Sequence, residues 1–260
     1  MNRQLIRCGN YFGQHYKGVG TSSNIFLENQ SSINSKVENN IFRTLSNLYY
    51  SHLNLEKDKK RITVGGDHSI SIATLAWTLN KYPKAKVLWI DAHADINTYD
   101  MSKSKNYHGM PLSYLTGMDY NSKFNFLSTR LNLKNLMYVG VRDLDNFEEE
   151  ILNSNNIKHV SVSTFNKNKF NKIYDFLEGH DYHLSFDVDA IDPVDIPSTG
   201  TPVNNGLKLE SFLSFMKQLN TDKMINMDIV ELNLELGNKE DIRKSFESIK
   251  QIEQIIIEKE

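Results

Sequence analysis

Short apolar segments recur along this chain, and most of them are apolar at every position instead of alternating with polar residues. A strand has this pattern when helices cover both faces of its sheet. Stretches with helical periodicity separate the segments, which is typical of parallel strands joined by crossover helices. We therefore predict an α/β fold built on a mostly parallel sheet. The predicted strands are residues 5–8, 61–64, 86–90, 136–139, 158–162, 183–186 and 224–229.

The intervening stretches predict helices, of which the C-terminal one has the clearest period. Its apolar residues recur at steps of three and four, which indicates one face packed on the sheet. These residues are Ile242, Phe246, Ile249, Ile252 and Ile256. The other predicted helices are 69–80, 147–155, 169–178 and 209–219, with long loops at 10–36 and 119–135. No repeat or linker rich in proline or glycine divides the 260 residues, so one domain over 1–260 is expected.

Composition argues against several classes of function. The chain has 30 Lys and Arg against 32 Asp and Glu and lacks a basic stripe for phosphate contacts, so no nucleic-acid partner is expected. Apolar runs such as 87–90 are far shorter than the roughly 18 residues of a membrane span, so no membrane partner is expected. The single cysteine, Cys8, allows neither an internal disulfide nor a cysteine zinc site, which indicates a reducing, cytoplasmic location. Any metal must therefore bind to histidines and carboxylates.

Acidic residues and a histidine cluster directly after the predicted strand at 86–90. In extended backbone, residues two apart point to the same side, so Asp91, His93 and Asp95 are expected to project together. Clustered carboxylates repel one another and raise each other's pKa unless a cation or a proton compensates. A solvated polar loop is the alternative interpretation of this segment.

Further candidate ligands follow two other predicted strands. Asp187 and Asp189 come after the strand at 183–186, and His68 comes after the strand at 61–64. In open α/β sheets the carboxyl ends of the strands form the edge where ligands bind. The combined set of four carboxylates and two imidazoles suits two divalent ions that share bridging carboxylates roughly 3.5 Å apart. Such oxygen-rich ligands favour manganese over zinc or copper, and the histidines disfavour magnesium.

His108 lies in the polar segment 104–111 and has two interpretations. An imidazole titrates close to neutral pH, so His108 is a candidate for carrying protons to and from a metal site nearby. A histidine in an ordinary loop explains the same residue equally well, and the sequence pattern alone leaves both interpretations open.

These segments resemble the three metal motifs of the ureohydrolase family, and within it those of the arginases. The matching segments are Gly-Gly-Asp-His-Ser at 65–69, Asp-Ala-His-Ala-Asp-Ile-Asn at 91–97 and Ser-Phe-Asp-Val-Asp-Ala-Ile-Asp-Pro at 185–193. The resemblance implies a three-layer α/β/α sandwich of the arginase and deacetylase type, with two Mn²⁺ per chain. One ion would be bound by His68, Asp91, Asp95 and Asp187, and the other by His93, Asp91, Asp187 and Asp189.

The resemblance also implies how a substrate is held. Residues 97–111 are similar to the arginase loop that binds the α-carboxylate of an amino acid. The residues that match the family's substrate contacts are Asn97, Ser104 and Asn106 for the α-carboxylate, Asp145 and Glu148 for the α-ammonium, and Glu231 and Thr201 for the guanidinium group. A guanidinium is a planar cation suited to pairing with a carboxylate.

The activity implied is hydrolysis of L-arginine to L-ornithine and urea by a hydroxide that bridges the two ions. Asp95 would relay the hydroxide proton to the departing amine, and His108 would shuttle protons between the site and solvent. The resemblance further implies a homo-oligomer, either a trimer or a hexamer. Alternatives are an agmatinase or another guanidino-compound ureohydrolase, a catalytically silent metal-binding homologue and, more remotely, a deacetylase. The α-carboxylate loop favours arginine over agmatine, because agmatine has no such group.

The sequence departs from the arginase pattern in three places. Leu234 follows Asn233 where the family has a proline, and Asn205 stands where the family has a glycine. The region before Gly65 is shorter than in typical arginases, and Gly18-Val19-Gly20 is its one match to a family loop. We expect the first two changes to affect the rate more than the type of reaction.

Overall fold

The structure is a computed structural model that describes residues 3–56 and 59–259. Within those residues, eight strands form one sheet in which every neighbouring pair is parallel. The strands are β1 (Arg3–Cys8), β2 (Ser32–Asn34), β3 (Lys60–Gly65), β4 (Lys86–Ile90), β5 (Leu136–Val139), β6 (Lys158–Val160), β7 (Tyr182–Asp187) and β8 (Met224–Val230). Their order across the sheet is β2-β1-β3-β8-β7-β4-β5-β6. The predicted parallel sheet is confirmed.

Helices cover both faces of this sheet. They are α1 (Gly18–Ser22), α2 (Ile41–Leu53), α3 (Ser71–Lys81), α4 (Pro111–Thr116), α5 (Asn146–Ser154), α6 (Val162–Phe165), α7 (Asn171–Leu177), α8 (Leu209–Gln218) and α9 (Lys239–Glu258). Leu88 and Ile90 of β4 belong to the core shared with α6 to α9, whereas Val87 and Trp89 belong to the core shared with α2 to α5. The three-layer sandwich is therefore confirmed. In the described part of the chain, no helix is both long enough and apolar enough to cross a bilayer.

The prediction of a long loop over 10–36 was wrong, because this segment contains α1 and β2. α1 has two glycines among its five residues, which are poor helix formers, so the sequence carried little helical signal. β2 is a three-residue edge strand with the sequence Ser-Ile-Asn, and it forms by pairing with Leu5, Ile6 and Arg7 of β1. Both elements depend on contacts that are distant in sequence, which local periodicity does not report.

Two further predictions need correction. The strand expected over 158–162 ends at Val160, because the Ser161 side chain accepts the Thr164 N–H and caps α6. In α9, Phe246 is 36% exposed instead of facing the sheet, and two serines take part in the buried face. Ser245 Oγ accepts the Ser198 N–H at 2.9 Å, and Ser248 Oγ donates to the Asp195 carbonyl at 2.8 Å. These serines anchor a loop beside the sheet, which a purely apolar stripe does not predict.

A buried histidine of α2 makes folding stability depend on pH. His52 is fully buried, with Nε2 at 3.2 Å from Thr63 Oγ1. Burial lowers its pKa from 6.5 to about 3, and the negative charge of Asp228 offsets only part of that effect. The unfolded chain binds this proton more tightly than the folded chain does. The contribution of His52 to the free energy of unfolding is therefore complete above about pH 6.5 and decreases by about 1.4 kcal/mol per pH unit as the pH falls toward 3.

We expect His52→Gln to remove this contribution, since glutamine stays neutral and retains hydrogen-bonding capacity. Denaturant unfolding of metal-free protein at pH 7, 6, 5 and 4 would measure it. The free energy of unfolding should fall less steeply with decreasing pH in the variant than in the wild type. His180→Gln, at an exposed position, serves as the matched control. Parallel profiles for the wild type and the His52 variant would contradict the assignment.

Candidate metal centre

The six predicted metal ligands lie at the carboxyl ends of three strands in the middle of the sheet. His68 follows β3, Asp91, His93 and Asp95 follow β4, and Asp187 is the last residue of β7, with Asp189 two residues beyond it. β8 lies between β3 and β7, and β7 pairs with β4, so the three segments meet at one edge. Five of the six form two groups with the geometry of a metal site, His68 with Asp91 and Asp187 in one, and His93 with Asp91 and Asp189 in the other.

The first group surrounds His68. Its Nδ1 lies 3.1 Å from Asp91 Oδ2, 3.0 Å from Asp95 Oδ2 and 3.2 Å from Asp187 Oδ2. Among the described residues, this nitrogen makes no hydrogen bond of acceptable geometry, although it is fully buried. Its opposite nitrogen, Nε2, is 2.8 Å from Ser185 Oγ. The contact at Nε2 thus fixes the imidazole ring, while Nδ1 points at the space between three carboxylates. This is the arrangement of a histidine that binds a metal ion through Nδ1.

The second group surrounds His93 and shares one carboxylate with the first. His93 Nδ1 lies 3.1 Å from Asp189 Oδ2 and 3.5 Å from Asp91 Oδ1. The two oxygens of Asp91 therefore face different histidines, Oδ2 toward His68 and Oδ1 toward His93. A carboxylate in this position can bridge two cations.

The electrostatics of the cluster favour bound cations. Burial raises the pKa of Asp187 well above its usual range, and the charges of Asp189 and Asp91 raise it further. Burial, followed by the charge of Asp91, raises the pKa of Asp95 to about 6. Without positive charge, these carboxyls would hold protons at the expense of their ligand function. The donor set of carboxylates and two imidazole nitrogens therefore suits a pair of divalent ions.

The segment after β4 converges on the site by a different backbone path from the one expected. Extended geometry was predicted to align Asp91, His93 and Asp95, but Asp95 has a left-handed φ of 49°. Its carbonyl accepts the Leu112 N–H at 3.0 Å, which ties the bend to α4. Left-handed backbone is unfavourable for a non-glycine residue and is found at functional sites when tertiary contacts enforce it. The bend directs Asp95 toward His68, which a continued strand would not do.

A cavity of about 170 Å³ opens beside the two groups. Ten of the predicted site residues line it: His93, Asp95, Asn97, Ser104, Asn106, His108, Glu148, Asp187, Asp189 and Thr201. Ser102 and Gly109 line it as well. A lining of amide, hydroxyl and carboxylate groups together with candidate metal ligands suits a small, charged substrate.

The two predicted ammonium-binding acids begin a helix, and of the two Glu148 lines the cavity. Asp145 and Glu148 form a capping box at the start of α5, in which each side chain accepts the backbone N–H of the other. Asp145 also accepts the Asn97 side-chain amide. Burial raises the pKa of Glu148 to about 7, with smaller contributions from Asp95 and Asp145. A cationic group next to Glu148 would favour its ionised form.

Thr201, expected beside the guanidinium group, donates its hydroxyl to Asp189 Oδ2 at 3.0 Å. It therefore contacts a candidate metal ligand while it lines the cavity. This bond orients one oxygen of Asp189 and leaves the hydroxyl oxygen of Thr201 available to accept a hydrogen bond from a ligand.

Glu231 follows β8 and is 1% exposed, with a left-handed φ of 68°. Its Oε1 accepts the His68 backbone N–H at 2.8 Å and the His108 Nδ1–H at 3.2 Å, and its Oε2 accepts the side-chain amide of Gln14. Burial opposes a proton on His108, but the hydrogen bond and charge of Glu231 outweigh it and raise the pKa of His108 to about 9. His108 is therefore protonated at neutral pH in this arrangement and in contact with both the cavity and Glu231.

Comparison with known proteins agrees with this geometry. A model of the arginase family matches residues 7–247. An arginase from Neurospora crassa is 36% identical over 225 residues, which are 80% of this chain and 62% of that protein. The chain belongs to the arginase family.

Solved arginase structures share the fold over nearly their whole length. An Entamoeba histolytica arginase in complex with L-ornithine matches with a TM-score of 0.87 and 27% identity over 98% of both chains. A Bacillus subtilis arginase matches with a TM-score of 0.84 and 27% identity, also over 98% of both chains.

The chain spans about 60% of the length of the first curated arginases it matches, which are those of Neurospora crassa and Glaciozyma antarctica. The arginase family depends on a binuclear metal centre, and the two groups described above supply candidate ligands for one.

The structure explains how this arginase-family chain accommodates its two departures near the site. Asn205 has a left-handed φ of 61°, a conformation that glycine adopts freely and that asparagine tolerates better than most residues. The Leu234 N–H donates to Ser22 Oγ at 2.9 Å, a bond that a proline could not make because it lacks the N–H. Both substitutions therefore have a local structural reason.

Sequence reasoning missed the residues that hold the ligands from behind. Trp89 Nε1–H donates to Asp91 Oδ2 at 2.9 Å, and Ser185 Oγ contacts His68 Nε2. Ser185 also lies 3.3 Å from Ser71 Oγ, which donates to the buried Asp228 at 2.9 Å. The serine at 185 lies within the third arginase motif, so its position two residues before Asp187 was the available signal. Its role in fixing the His68 ring depends on a contact between two strand segments that are far apart in the sequence.

Ser185→Ala is expected to weaken metal binding about 10- to 100-fold, because His68 loses the hydrogen bond that fixes its ring. Competition with a chelator would measure the affinity. Ser211→Ala, which removes a buried hydroxyl in α8, is the matched control and should leave metal affinity unchanged. Equal affinities for the wild type and the Ser185 variant would show that Ser185 does not orient the ligand.

Proposed function

We propose that this chain is an arginase that hydrolyses L-arginine to L-ornithine and urea. The observation that carries the proposal is the pair of His and Asp groups that share Asp91 beside a cavity lined by amide, hydroxyl and carboxylate groups. The similarity to the Entamoeba histolytica arginase, solved with L-ornithine, supports an amino-acid ligand in such a cavity. The alternative of a catalytically silent homologue is disfavoured by the complete ligand set.

We propose two Mn²⁺ as the metal ions, because the set contains four carboxylates and two imidazoles. The first would be held by His68, Asp91, Asp95 and Asp187, and the second by His93, Asp91, Asp187 and Asp189. Such a pair lowers the pKa of water and so supplies a nucleophile at neutral pH.

The protein's own groups would bind and orient the substrate. Asn97, Ser104 and Asn106 offer donors to an α-carboxylate, and Asp145 and Glu148 offer carboxylates to the α-ammonium. Glu231 is the ionised partner for the guanidinium group, and burial makes such a charge-assisted pair strong. With this division of the cavity, the guanidino carbon would lie near the candidate metal ligands.

Two groups would move the protons. Water adds to the guanidino carbon, the bond from that carbon to the side-chain nitrogen breaks, and this nitrogen needs a proton to leave as the amine of ornithine. Asp95 lines the cavity beside the other candidate ligands, where its carboxylate would take up and release that proton. His108, whose side chain is 19% exposed, would exchange protons between the site and solvent.

The decisive experiment is a urea-release assay of manganese-loaded protein with L-arginine, agmatine and 4-guanidinobutyrate, paired with metal analysis. We expect turnover with L-arginine and much slower turnover with the other two, because agmatine lacks the α-carboxylate for Asn97, Ser104 and Asn106, and 4-guanidinobutyrate lacks the α-ammonium for Glu148. Urea from agmatine but not from arginine would favour the agmatinase alternative. Two bound ions without turnover of any substrate would support a silent homologue.

We also propose a cytoplasmic location, one domain over 1–260 and a homo-oligomer, either a trimer or a hexamer. A single, buried cysteine supports the cytoplasmic location, because it is typical of a reducing compartment. A sheet that joins strands from β1 to β8 supports the single domain. The homo-oligomer rests on the family resemblance, and light scattering of the purified protein would test it.

A further inference from the structure

The loop between β1 and α1, residues 9–17, lies against the candidate site. The Gly13 N–H donates to Asp67 Oδ2 at 2.8 Å, and the Gly13 carbonyl accepts the His108 N–H at 3.2 Å. A Cβ at residue 13 would lie 2.4 Å from Asp67 Oδ1, so only glycine permits this approach. The loop is therefore tied to the segments that carry His68 and His108, and it brings Gln14 to Glu231.

Gln14 is 8% exposed, and its Nε2 donates to Glu231 Oε2. The orientation of the amide follows from chemistry, because an ionised carboxylate accepts hydrogen bonds and cannot donate one. In the described part of the chain, Gln14 Oε1 has no hydrogen-bond partner. A Cβ at Gly200 would lie 3.0 Å from this oxygen, so the amide is closely packed on that side. Donation to Glu231 is the polar interaction that the structure gives to this side chain.

The hydrogen bonds of Glu231 are divided unequally between its two oxygens. Oε1 has two donors, the His68 N–H and the His108 ring, whereas Oε2 has Gln14. Without Gln14 the carboxylate would be fixed at one oxygen and could rotate about its terminal bond. A guanidino group pairs best with a carboxylate whose plane is fixed, since two parallel N–H···O bonds need both oxygens in place.

We propose that Gln14 is a positioning residue for guanidino-group binding, which fixes the carboxylate plane of Glu231 by donating to Oε2. This inference rests on the proposed function, because it assigns the guanidino group to Glu231. It extends the site to the β1–α1 loop and predicts that loss of Gln14 affects ligands with a guanidino group while sparing those without one.

The test compares Gln14→Met, which has similar length but no donor, with the wild type in manganese-loaded protein. Hydrogen bonds to charged groups have a net worth that corresponds to a change of about 10- to 100-fold. We expect kcat/KM for L-arginine to fall by about that factor, largely through KM, while calorimetry gives an affinity for L-ornithine within about twofold of wild type. Gln14→Leu, which also lacks a donor, should fall at least as far and covers the case in which the methionine variant does not fold. His15→Ala, at the exposed neighbouring position, is the control.

A parallel loss of ornithine affinity would overturn the inference, because it would show general damage to the cavity. Wild-type kcat/KM in Gln14→Met would overturn it as well. If the wild type releases no urea, the proposed function fails, and calorimetric affinities for L-arginine and L-ornithine then replace KM. A selective loss of arginine affinity in the variant would still support the role of Gln14, and equal losses would reject it.

Discussion

Asp187→Asn is expected to reduce bound metal from two ions to at most one and to lower turnover by roughly three orders of magnitude, since metal ions contribute several kcal/mol to the transition state. Asp187 is the last residue of β7, and its Oδ2 lies 3.2 Å from His68 Nδ1. Its Oδ1 accepts the Asp189 N–H at 2.8 Å, a bond that asparagine retains. The substitution therefore removes charge while it preserves the turn.

The same variant should not lower the thermal stability of the metal-free protein. Burial and the charges of Asp189 and Asp91 raise the pKa of Asp187, so its charge is unfavourable when no cation is bound. Neutral asparagine relieves that repulsion, and the melting temperature without metal should be equal to or above that of the wild type.

Metal analysis, urea release and thermal melting would be measured together. Asp181→Asn is a matched control, because Asp181 precedes the same strand at the opposite edge of the sheet and is 44% exposed. It should retain both ions and full turnover. Retention of both ions with normal turnover in Asp187→Asn would reject the binuclear assignment.

Glu231→Gln is expected to lower kcat/KM for L-arginine by roughly 30- to 5000-fold while both metal ions stay bound. Removing one partner of a buried, hydrogen-bonded charge pair costs about 2–5 kcal/mol. Glu231 accepts bonds from the His68 N–H, the His108 ring and the Gln14 amide. A neutral amide would satisfy these three donors at one oxygen only, and it would lose the charge that attracts a guanidinium group.

Steady-state kinetics with L-arginine and metal analysis would measure this effect. Glu235→Gln is the matched control, because Glu235 lies four residues further along the same loop in an exposed position. Loss of metal in Glu231→Gln would show that Glu231 supports the ligands through His68 and does not act mainly on the substrate. An unchanged kcat/KM would show that Glu231 does not bind the guanidino group of the substrate.

Part of this protein could be predicted from local sequence, and the reason is periodicity. Strands buried on both faces are largely apolar, as in residues 87–90 of β4 and in Leu136–Val139, so the parallel sheet and its helical layers were predictable. β2 and α1 were not predictable in this way, because Ser32–Asn34 and Gly18–Ser22 have no apolar period and depend on neighbouring strands and loops.

The candidate metal ligands were also visible in the sequence, since carboxylates and histidines follow strands that end at one edge. The residues that hold them were not. Gln14 carries no distinctive local pattern, and Ser185 is marked only by its place in the third motif. The roles of both come from partners far away in the chain, Glu231 for Gln14 and His68 for Ser185. The sequence could likewise suggest that Asp95 belongs to the cluster but not the left-handed turn that directs it there.

The sequence by itself determined the chemistry of the site, because the types of ligand and their positions after apolar strands are local properties. The tertiary structure decided the geometry. Asp91 came to face both His68 and His93 because β3, β7 and β4 end at one edge of a single sheet. The loop before α1 joined the site through Gly13 and Gln14, because only folding brings these residues into hydrogen-bond distance of partners that lie 54 and 217 positions away in the chain.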